Sequence, residues 1–279
     1  MQTVDEIREY LDRRFEIVGD VEPFRKPEVL DALNSVGVPI VARTIDIDAF
    51  RSYLEKSDAI YTPAYKKAFG EHFVRKALEH FVSFELMGIA KGQSYMDVAS
   101  SGSNVPEIMT EHFGLVDVWK QDLSYPEGVD AEKRVIGSNA ADIPVDGSAF
   151  DRIALHCSFE HFEGDTDTGF VVEVARILRP GGKACILPLY MNVQYHILSN
   201  LELMQVRGIP QFEPDSPIYL QERPHNHFGR FYDAKSLNER VIEPARQEGM
   251  SATVYDVETT HIAYGIGTNL ALLLENPSL

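Results

Sequence analysis

Little in this chain could crosslink it, carry it through a membrane or draw it to nucleic acid. Only two cysteines, Cys157 and Cys185, occur in 279 residues. They supply neither a disulfide framework nor metal-ligand spacing, so both read as small core side chains and no metal is expected. A reducing cytoplasm is the expected location. No run approaches the roughly 18 apolar residues that span a bilayer. The start Met1-Gln2-Thr3-Val4-Asp5-Glu6 lacks the basic residues and apolar stretch of a signal peptide, so no membrane partner is expected. Positive charge is scarce: 26 Lys and Arg stand against 43 Asp and Glu, a net charge of −17. Such a surface repels phosphate backbones, which argues against a nucleic-acid substrate. No Gly-x-Gly-x-x-Gly turn is present, the feature that a dinucleotide-dependent oxidoreductase would need. Internal repeats and low-complexity tracts are also missing.

What remains is an ordinary globular composition, 44% hydrophobic and 25% charged, in a chain long enough for one large domain with an elaborated end. Residues 1–90 read as helical. Val4, Ile7, Tyr10, Leu11 and Phe15 recur at helical spacing, and 26–36 and 46–56 offer two short helices, the second capped by Asp46 or Asp48. From Ala64 to Met87 a wide aromatic face runs through Tyr65, Phe69, Phe73, Phe81 and Phe84, suited to packing on a sheet or a neighbouring helix. Tyr61, Tyr65 and Phe69 are candidate pocket residues as well as core residues. The same aromatic helices could carry the interface of a homodimer.

After Gly92 the pattern alternates. Strands are expected at 94–99, 116–121, 133–137, 151–156 and 183–189, and helices at 104–113, 167–178 and roughly 191–206. Alternation at this pitch implies right-handed βαβ units and a parallel sheet covered on both faces. Residues 208–232 interrupt it with Pro210, Pro214, Pro217 and Pro224 and with the segment His225-Asn226-His227-Phe228-Gly229-Arg230-Phe231-Tyr232. An insertion of this length reads as a lid or a binding loop. A helix kinked at Pro244 and ending near Gly249 follows, and then two closing strands, Ser251–Val257 and Asn269–Leu274.

In such sheets ligands bind beyond the carboxyl ends of the strands, and every chemically interesting loop here falls at such an end. Tyr95-Met96-Asp97-Val98-Ala99-Ser100-Ser101-Gly102-Ser103-Asn104 reads as strand, tight turn and helix start, with Pro106 suited to the first helical turn. Asp97 is placed to meet a cation or hydroxyl above the sheet. Asp122, at the second strand end, is placed to accept ribose hydroxyls. Asp142, in Ser138-Asn139-Ala140-Ala141-Asp142-Ile143-Pro144, could hold the amine of an adenine between apolar neighbours. The loop His156-Cys157-Ser158-Phe159-Glu160-His161-Phe162 lies nearest whatever reacts.

These features together resemble the class I S-adenosylmethionine-dependent methyltransferases. The resemblance is carried by the strand-Asp-small-residue loop, the acid after the second strand and Asn139-Ala140-Ala141-Asp142-Ile143-Pro144-Val145-Asp146-Gly147-Ser148-Ala149-Phe150-Asp151. It is carried further by Phe159-Glu160-His161 and by Ala175-Arg176-Ile177-Leu178-Arg179-Pro180-Gly181-Gly182-Lys183. It covers about residues 90–190 well and the last third loosely. It implies a doubly wound, mostly parallel, seven-stranded Rossmann-like sheet over residues 91–279, with 1–90 as an N-terminal helical cap on the substrate side and an insertion at about 208–232. It implies S-adenosyl-L-methionine as cofactor. Asp97, Ala99, Ser101 and Gly102 would hold the methionine part, Asp122 the ribose with Leu123 against the adenine, and Asp142 the adenine amine beside Ala141 and Ile143. His156 and Cys157 would lie below the reacting methyl. The family usually has glycine where Ala99, Ser101 and Ser103 stand, and small residues keep the turn provided φ stays negative.

The expected activity is methylation of a small molecule at an oxygen or nitrogen. His161 is the first candidate base, with packing or capping of the next helix as its alternative role. His225 and His227 on the insertion are the second. A protein that kept the fold as a non-catalytic binding module remains the alternative, supported by the serine-rich first loop.

Overall fold

The apolar runs Tyr95–Val98, Ile153–Leu155 and Ala184–Leu187 are buried along their whole length, as strands covered on both faces must be. The computed structural model describes residues 2–258 and 269–278. Its strands are β1 (Glu16–Val18), β2 (Ile40–Thr44), β3 (Ser94–Val98), β4 (Asp117–Asp130), β5 (Val135–Gly137) and β6 (Phe150–His156). They continue with β7 (Leu178–Leu187), β8 (His196–Ser199), β9 (Pro217–Leu220), β10 (Gly229–Phe231), β11 (Ser251–Glu258) and β12 (Leu270–Glu275). Eight of them form one sheet in the order β2-β11-β12-β7-β6-β3-β4-β5. β12 runs antiparallel to both its neighbours. The other pairs are parallel, as expected of a doubly wound sheet. From β3 the chain runs outward through β4 and β5 and then returns to β6 on the other side of β3, so the strand order reverses between β3 and β6. The crevice for a ligand opens there, at their carboxyl ends.

Alternation along each strand divides the core. Met96, Val98, Ile153 and Leu155 pack on one face, against α2 (Lys26–Ser35) and α7 (Thr166–Ile177). Tyr95 and Ala154 pack on the other, against α3 (Ile47–Ser57), α5 (Phe73–Met87) and α6 (Val105–Glu111). Asp46 caps α3, accepting from the N–H groups of Asp48 and Ala49 at 3.0 and 2.9 Å. Pro106 sits in the first turn of α6.

The segment 1–90 is not purely helical. β2 adds an eighth strand beside the seven drawn from 91–279, because its short run Ile40-Val41-Ala42 completes the open edge of β11. The stretch from Ala64 to Met87 is two helices rather than one: Gly70, at φ 50°, separates α4 (Pro63–Phe69) from α5. Its aromatic face is buried inside the chain, so Tyr61, Tyr65, Phe81 and Phe84 present no apolar stripe to a second copy.

The helix expected over 191–206 is also replaced. His196-Ile197-Leu198-Ser199 pairs as β8, and Asn200 then caps the short α8 (Leu201–Arg207), accepting from Leu203 N at 3.0 Å. β8 joins strands from the 208–232 segment and from the amino terminus in a second, four-stranded sheet, β1-β9-β8-β10. Ile7 and Leu11 from α1 (Val4–Asp12) close a small core over it with Ile197, Phe212, Ile218 and Phe228. The insertion is therefore half of an ordered layer.

Candidate functional site

Asp97 follows Tyr95 and Met96 on β3, so by alternation its side chain leaves the sheet on the Tyr95 face, beneath α5. His156 leaves β6 on the same face after Ala154. The two meet there, His156 Nδ1 standing 3.7 Å from Asp97 Oδ1. Both ring nitrogens of His156 and Asp97 Oδ2 are buried with no hydrogen-bond partner. Buried polar atoms left open in this way are costly, and at a strand-end crevice they await a ligand.

α5 brings a polar stripe down on this pair. Lys76 Nζ donates to Glu79 Oε2 at 2.8 Å and to Cys157 Sγ at 2.7 Å. His80 stands edge-on to His156, ring centroids 4.8 Å apart, and its Nδ1 shares a 2.8 Å hydrogen bond with Tyr61 Oη. Tyr61 and Tyr65 thus serve this network from within the core. Burial holds His80 well below its ordinary pKa, helped by the neighbouring His156 and Lys76, so it stays neutral. Burial also pushes the Cys157 thiol far up, which makes it a poor nucleophile.

The loop after β3 turns through Ala99, at φ 54°, and Gly102, at φ 79°. Ala99 thus adopts the left-handed conformation that glycine accepts freely and alanine resists. Asp122 holds the loop from the end of the paired part of β4: its Oδ2 accepts from Ser101 N at 2.9 Å and its Oδ1 from Ser124 N at 2.8 Å. Ala99, Gln121, Asp122, Leu123, Asn139, Ala140, His161, Phe162, Glu163 and Thr166 line a cavity of about 310 Å³ over these strand ends. A half-buried carboxylate, apolar Leu123, Ala140 and Phe162, and the open Asp97 Oδ2 and His156 nitrogens nearby suit a nucleoside with a charged tail.

A larger cavity, about 680 Å³, adjoins it and shares His161 and Glu163 with it. Its wall includes Phe69, Arg75 and Lys76 from the N-terminal region, Cys157 and Glu160 from the β6 loop, and Tyr190. Arg207, Gln221, His225, His227, Phe228 and Phe231 close the other side. His161 Nδ1 lies 2.6 Å from the carbonyl oxygen of Phe228, so Nδ1 carries a proton, and in the neutral ring the lone pair is on Nε2. Glu160, with Oε1 3.7 Å from that Nε2, is pushed above its usual carboxyl pKa by burial. His227 Nε2 donates to Gly208 O at 2.8 Å, and its Nδ1 faces Glu163 Oε1 at 3.7 Å. His225 is exposed on the rim.

Of the residues expected from sequence, Ala99, Asp122, Leu123 and His161 come together around the smaller cavity, and Ser101 joins them through its N–H. His161, His225, His227 and Cys157 share the larger one. Asp97 and His156 pair with each other and line neither cavity. Gly102 supplies the turn. Asp142 and Ile143 are not brought to either cavity. Asn139 closes a tight turn, its side chain accepting from Ala141 N at 3.0 Å and its carbonyl from Asp142 N at 3.0 Å. Asp142 thereby projects into an open cleft beside Asp117 and Arg179, Ile143 is buried in the core, and Ala141 packs against Gly169. Sequence reasoning missed Gln121, whose Nε2 donates to Ser138 O at 2.6 Å under the cavity floor, and the α5 residues Lys76, Glu79 and His80. Buried polar side chains at i, i+3 and i+4 on an otherwise aromatic helix were the signal that could have found them.

Residues 96–186 match the family model described as a methyltransferase domain. No curated protein matches the sequence. Among solved structures, the chain is similar to a putative methyltransferase in complex with the Trm112 activator of Haloferax volcanii. The identity is 16%, coverage is 79% of this chain and 97% of that one, and the TM-score is 0.48. It is similar at 14% identity to the 1,6-didemethyltoxoflavin-N1-methyltransferase of Burkholderia thailandensis, with 86% and 94% coverage and a TM-score of 0.48. A phosphoethanolamine N-methyltransferase of Haemonchus contortus shares 16% identity, with 82% and 60% coverage and a TM-score of 0.43. The matched segment runs from β3 to β7 and contains the reversal of strand order between β3 and β6, so residues 96–186 match a methyltransferase domain, a kind of domain whose cofactor is S-adenosylmethionine.

Proposed function

We propose that this protein transfers the methyl group of S-adenosylmethionine to an oxygen or nitrogen of a small molecule. The observation that carries the reading is the pair of adjoining cavities with His161 and Glu163 in the wall of both. Volumes of about 310 and 680 Å³ suit a nucleoside and a small acceptor, and are far too small for a polymer. The cofactor supplies a sulfonium-activated methyl for in-line displacement. The protein's part is to hold the acceptor in line, to keep water out and to take the acceptor's proton. Asp122 and Leu123 would hold the ribose and adenine, and Asp97 would answer the cationic end of the methionine tail. His161 Nε2 is the proposed base, with its tautomer set by the Phe228 carbonyl. His227 is tied to Gly208 and positions the insertion, while His225 stands at the entrance.

In this reading the segment 1–90 and the 208–232 insertion form the substrate side. Phe69, Arg75 and Lys76 from the first and Gln221, His227 and Phe228 from the second support it. Among the described residues no helix is long and apolar enough to cross a membrane, and a cytoplasmic small-molecule enzyme is the proposed setting.

Thermal unfolding of the full chain with S-adenosylmethionine, S-adenosylhomocysteine or NAD tests the cofactor site. At about 100 times its dissociation constant a ligand adds about 2.7 kcal/mol, a rise of about 5 °C or more at this size. The adenosyl sulfur ligands should produce it, NAD should not, and Asp122→Ala should abolish it. Transfer of labelled methyl to phenol and amine acceptors should fall about 100-fold or more in His161→Gln. Protection by NAD alone would overturn the reading, and no protection by any of them would favour the non-catalytic module.

A further inference from the structure

The molecule is strongly acidic, yet the larger cavity draws cations together. Arg75, Lys76 and Arg207 line it with His72 and His225, against only two carboxylates, Glu160 and Glu163. Those carboxylates are occupied or muted. Glu163 Oε2 accepts from Gln211 N at 2.8 Å and its Oε1 faces His227. Glu160 is buried with one oxygen unpartnered, and burial favours its neutral form. Just outside the lining, Glu79 is matched by Lys76.

Two guanidinium groups are poorly matched. Arg75 Nε is buried and has no hydrogen-bond partner, and its nearest carboxylate oxygen, Glu79 Oε1 at 3.8 Å, is beyond hydrogen-bond reach. Arg207, in the last turn of α8, has neither an ion pair nor a hydrogen bond among the described residues. In a chain with 43 acidic side chains, a cavity that holds Arg207 without a carboxylate partner and Arg75 with only a distant one, itself shared with Lys76, points to a charge that arrives from outside. Guanidinium groups suit it well, because their planar forks match carboxylate and phosphate oxygens. The rings of Phe69, Tyr190 and Phe231 line the same cavity, a surface for a flat or apolar body.

We infer that the acceptor bound in this cavity is an aromatic or apolar small molecule bearing an anionic group, a carboxylate or a phosphate, that Arg75 and Arg207 receive. This rests on the proposed small-molecule methyl transfer and adds the charge of the substrate to it. The steering is electrostatic as well as local: a cationic cavity on a molecule of net charge −17 is where an anion must be drawn against the general field.

The test is thermal unfolding of the full chain saturated with S-adenosylhomocysteine, with benzoate, phenyl phosphate, benzylamine or benzyl alcohol added at millimolar concentration. Benzoate or phenyl phosphate should raise the midpoint by about 3 °C at ten times its dissociation constant. The larger of the two shifts identifies the anionic group. Benzylamine and benzyl alcohol should do little. Arg75→Gln should remove the anion shift while keeping the S-adenosylhomocysteine shift, and Arg207→Gln, at an exposed helix end, should reduce it without disturbing the fold. Equal or greater protection by the amine or the alcohol, or an anion shift unchanged in both variants, overturns the inference. So does protection by S-adenosylhomocysteine with no anion effect, although the methyltransferase reading then stands. Arg75-dependent protection by anions without any S-adenosylhomocysteine effect would uphold the anion site and sink the cofactor reading instead.

Discussion

The first loop offers two neighbouring substitutions of opposite expected sign. Ala99 sits at φ 54°, where a Cβ costs about 1–2 kcal/mol relative to glycine. Ala99→Gly removes that cost but frees the unfolded chain, which takes back about 0.5–1 kcal/mol. The expected net is a gain of about 0.5–1 kcal/mol, or about 2 °C in the midpoint at this chain length. Ser101 is not among the residues with positive φ, its side chain is exposed, and its link to Asp122 runs through the backbone N–H. Ser101→Gly therefore keeps every contact and only loosens the unfolded chain, for an expected loss of about 0.5–1 kcal/mol. Urea denaturation of the full chain, with the midpoint compared at unchanged m-value, measures both. The pair of variants controls for any general effect of glycine in the loop. Destabilisation of equal size in both would show that the left-handed turn at Ala99 carries no strain, and would refute the reasoning.

Two further outcomes follow from buried charge. Arg230 is fully buried, bonded to Asp167 at 2.7 Å and to Glu213 and the Gly164 carbonyl, so Arg230→Leu should cost about 3–5 kcal/mol in urea denaturation, and a loss under 1 kcal/mol would refute it. His80 is held neutral by burial among Tyr61, Tyr65, Lys76 and His156, so the unfolded chain takes up a proton near pH 6.5 that the folded one refuses. Its contribution to stability is present above pH 6.5 and is lost on acidification below it, by up to about 1.4 kcal/mol per pH unit. The difference in stability between the wild type and His80→Asn should be flat above pH 7 and narrow below 6.5, and a difference independent of pH would refute this.

The large sheet was legible because its strands announce themselves. Tyr95–Val98, Ile153–Leu155 and Ala184–Leu187 are largely apolar runs between turn signals, and Asp97 stands one residue before the first of them ends. β2 and β8–β10 were not legible, since strands of three to five residues between helical segments have no period to read, and only the open edges they complete give them a reason. Asp142 lies away from both cavities for a local cause. Position in the loop suggested the cavity, but the Asn139 turn rotates the side chain away. Lys76, Glu79 and His80 were hidden because three polar residues on one helix normally mark a solvated face. Their partners, Cys157 and His156, lie about 80 residues further along the chain.

The junction between the two cavities shows why neither half of the site could be read alone. His161 ends the β6 loop, yet the proton on its Nδ1 is fixed by the Phe228 carbonyl, which belongs to the second sheet. Three residues later Gly164 continues the same connection: its N–H donates to Gln211 O at 3.1 Å, and its carbonyl accepts from Arg230 at 2.7 Å and Arg240 at 2.6 Å. Both arginines also hold Asp167 in the first turn of α7, Arg230 from Nη1 at 2.7 Å and Arg240 from Nη2 at 2.7 Å. Arg230 on β10 thus bolts the second sheet to the stretch 161–167 through a fully buried ion pair. A shift of that sheet would change the tautomer-setting contact of His161 and the shape of the acceptor cavity together. On the proposed function, acceptor choice and proton removal would be coupled through one connection, and variants of Arg230 that survive folding should alter both at once.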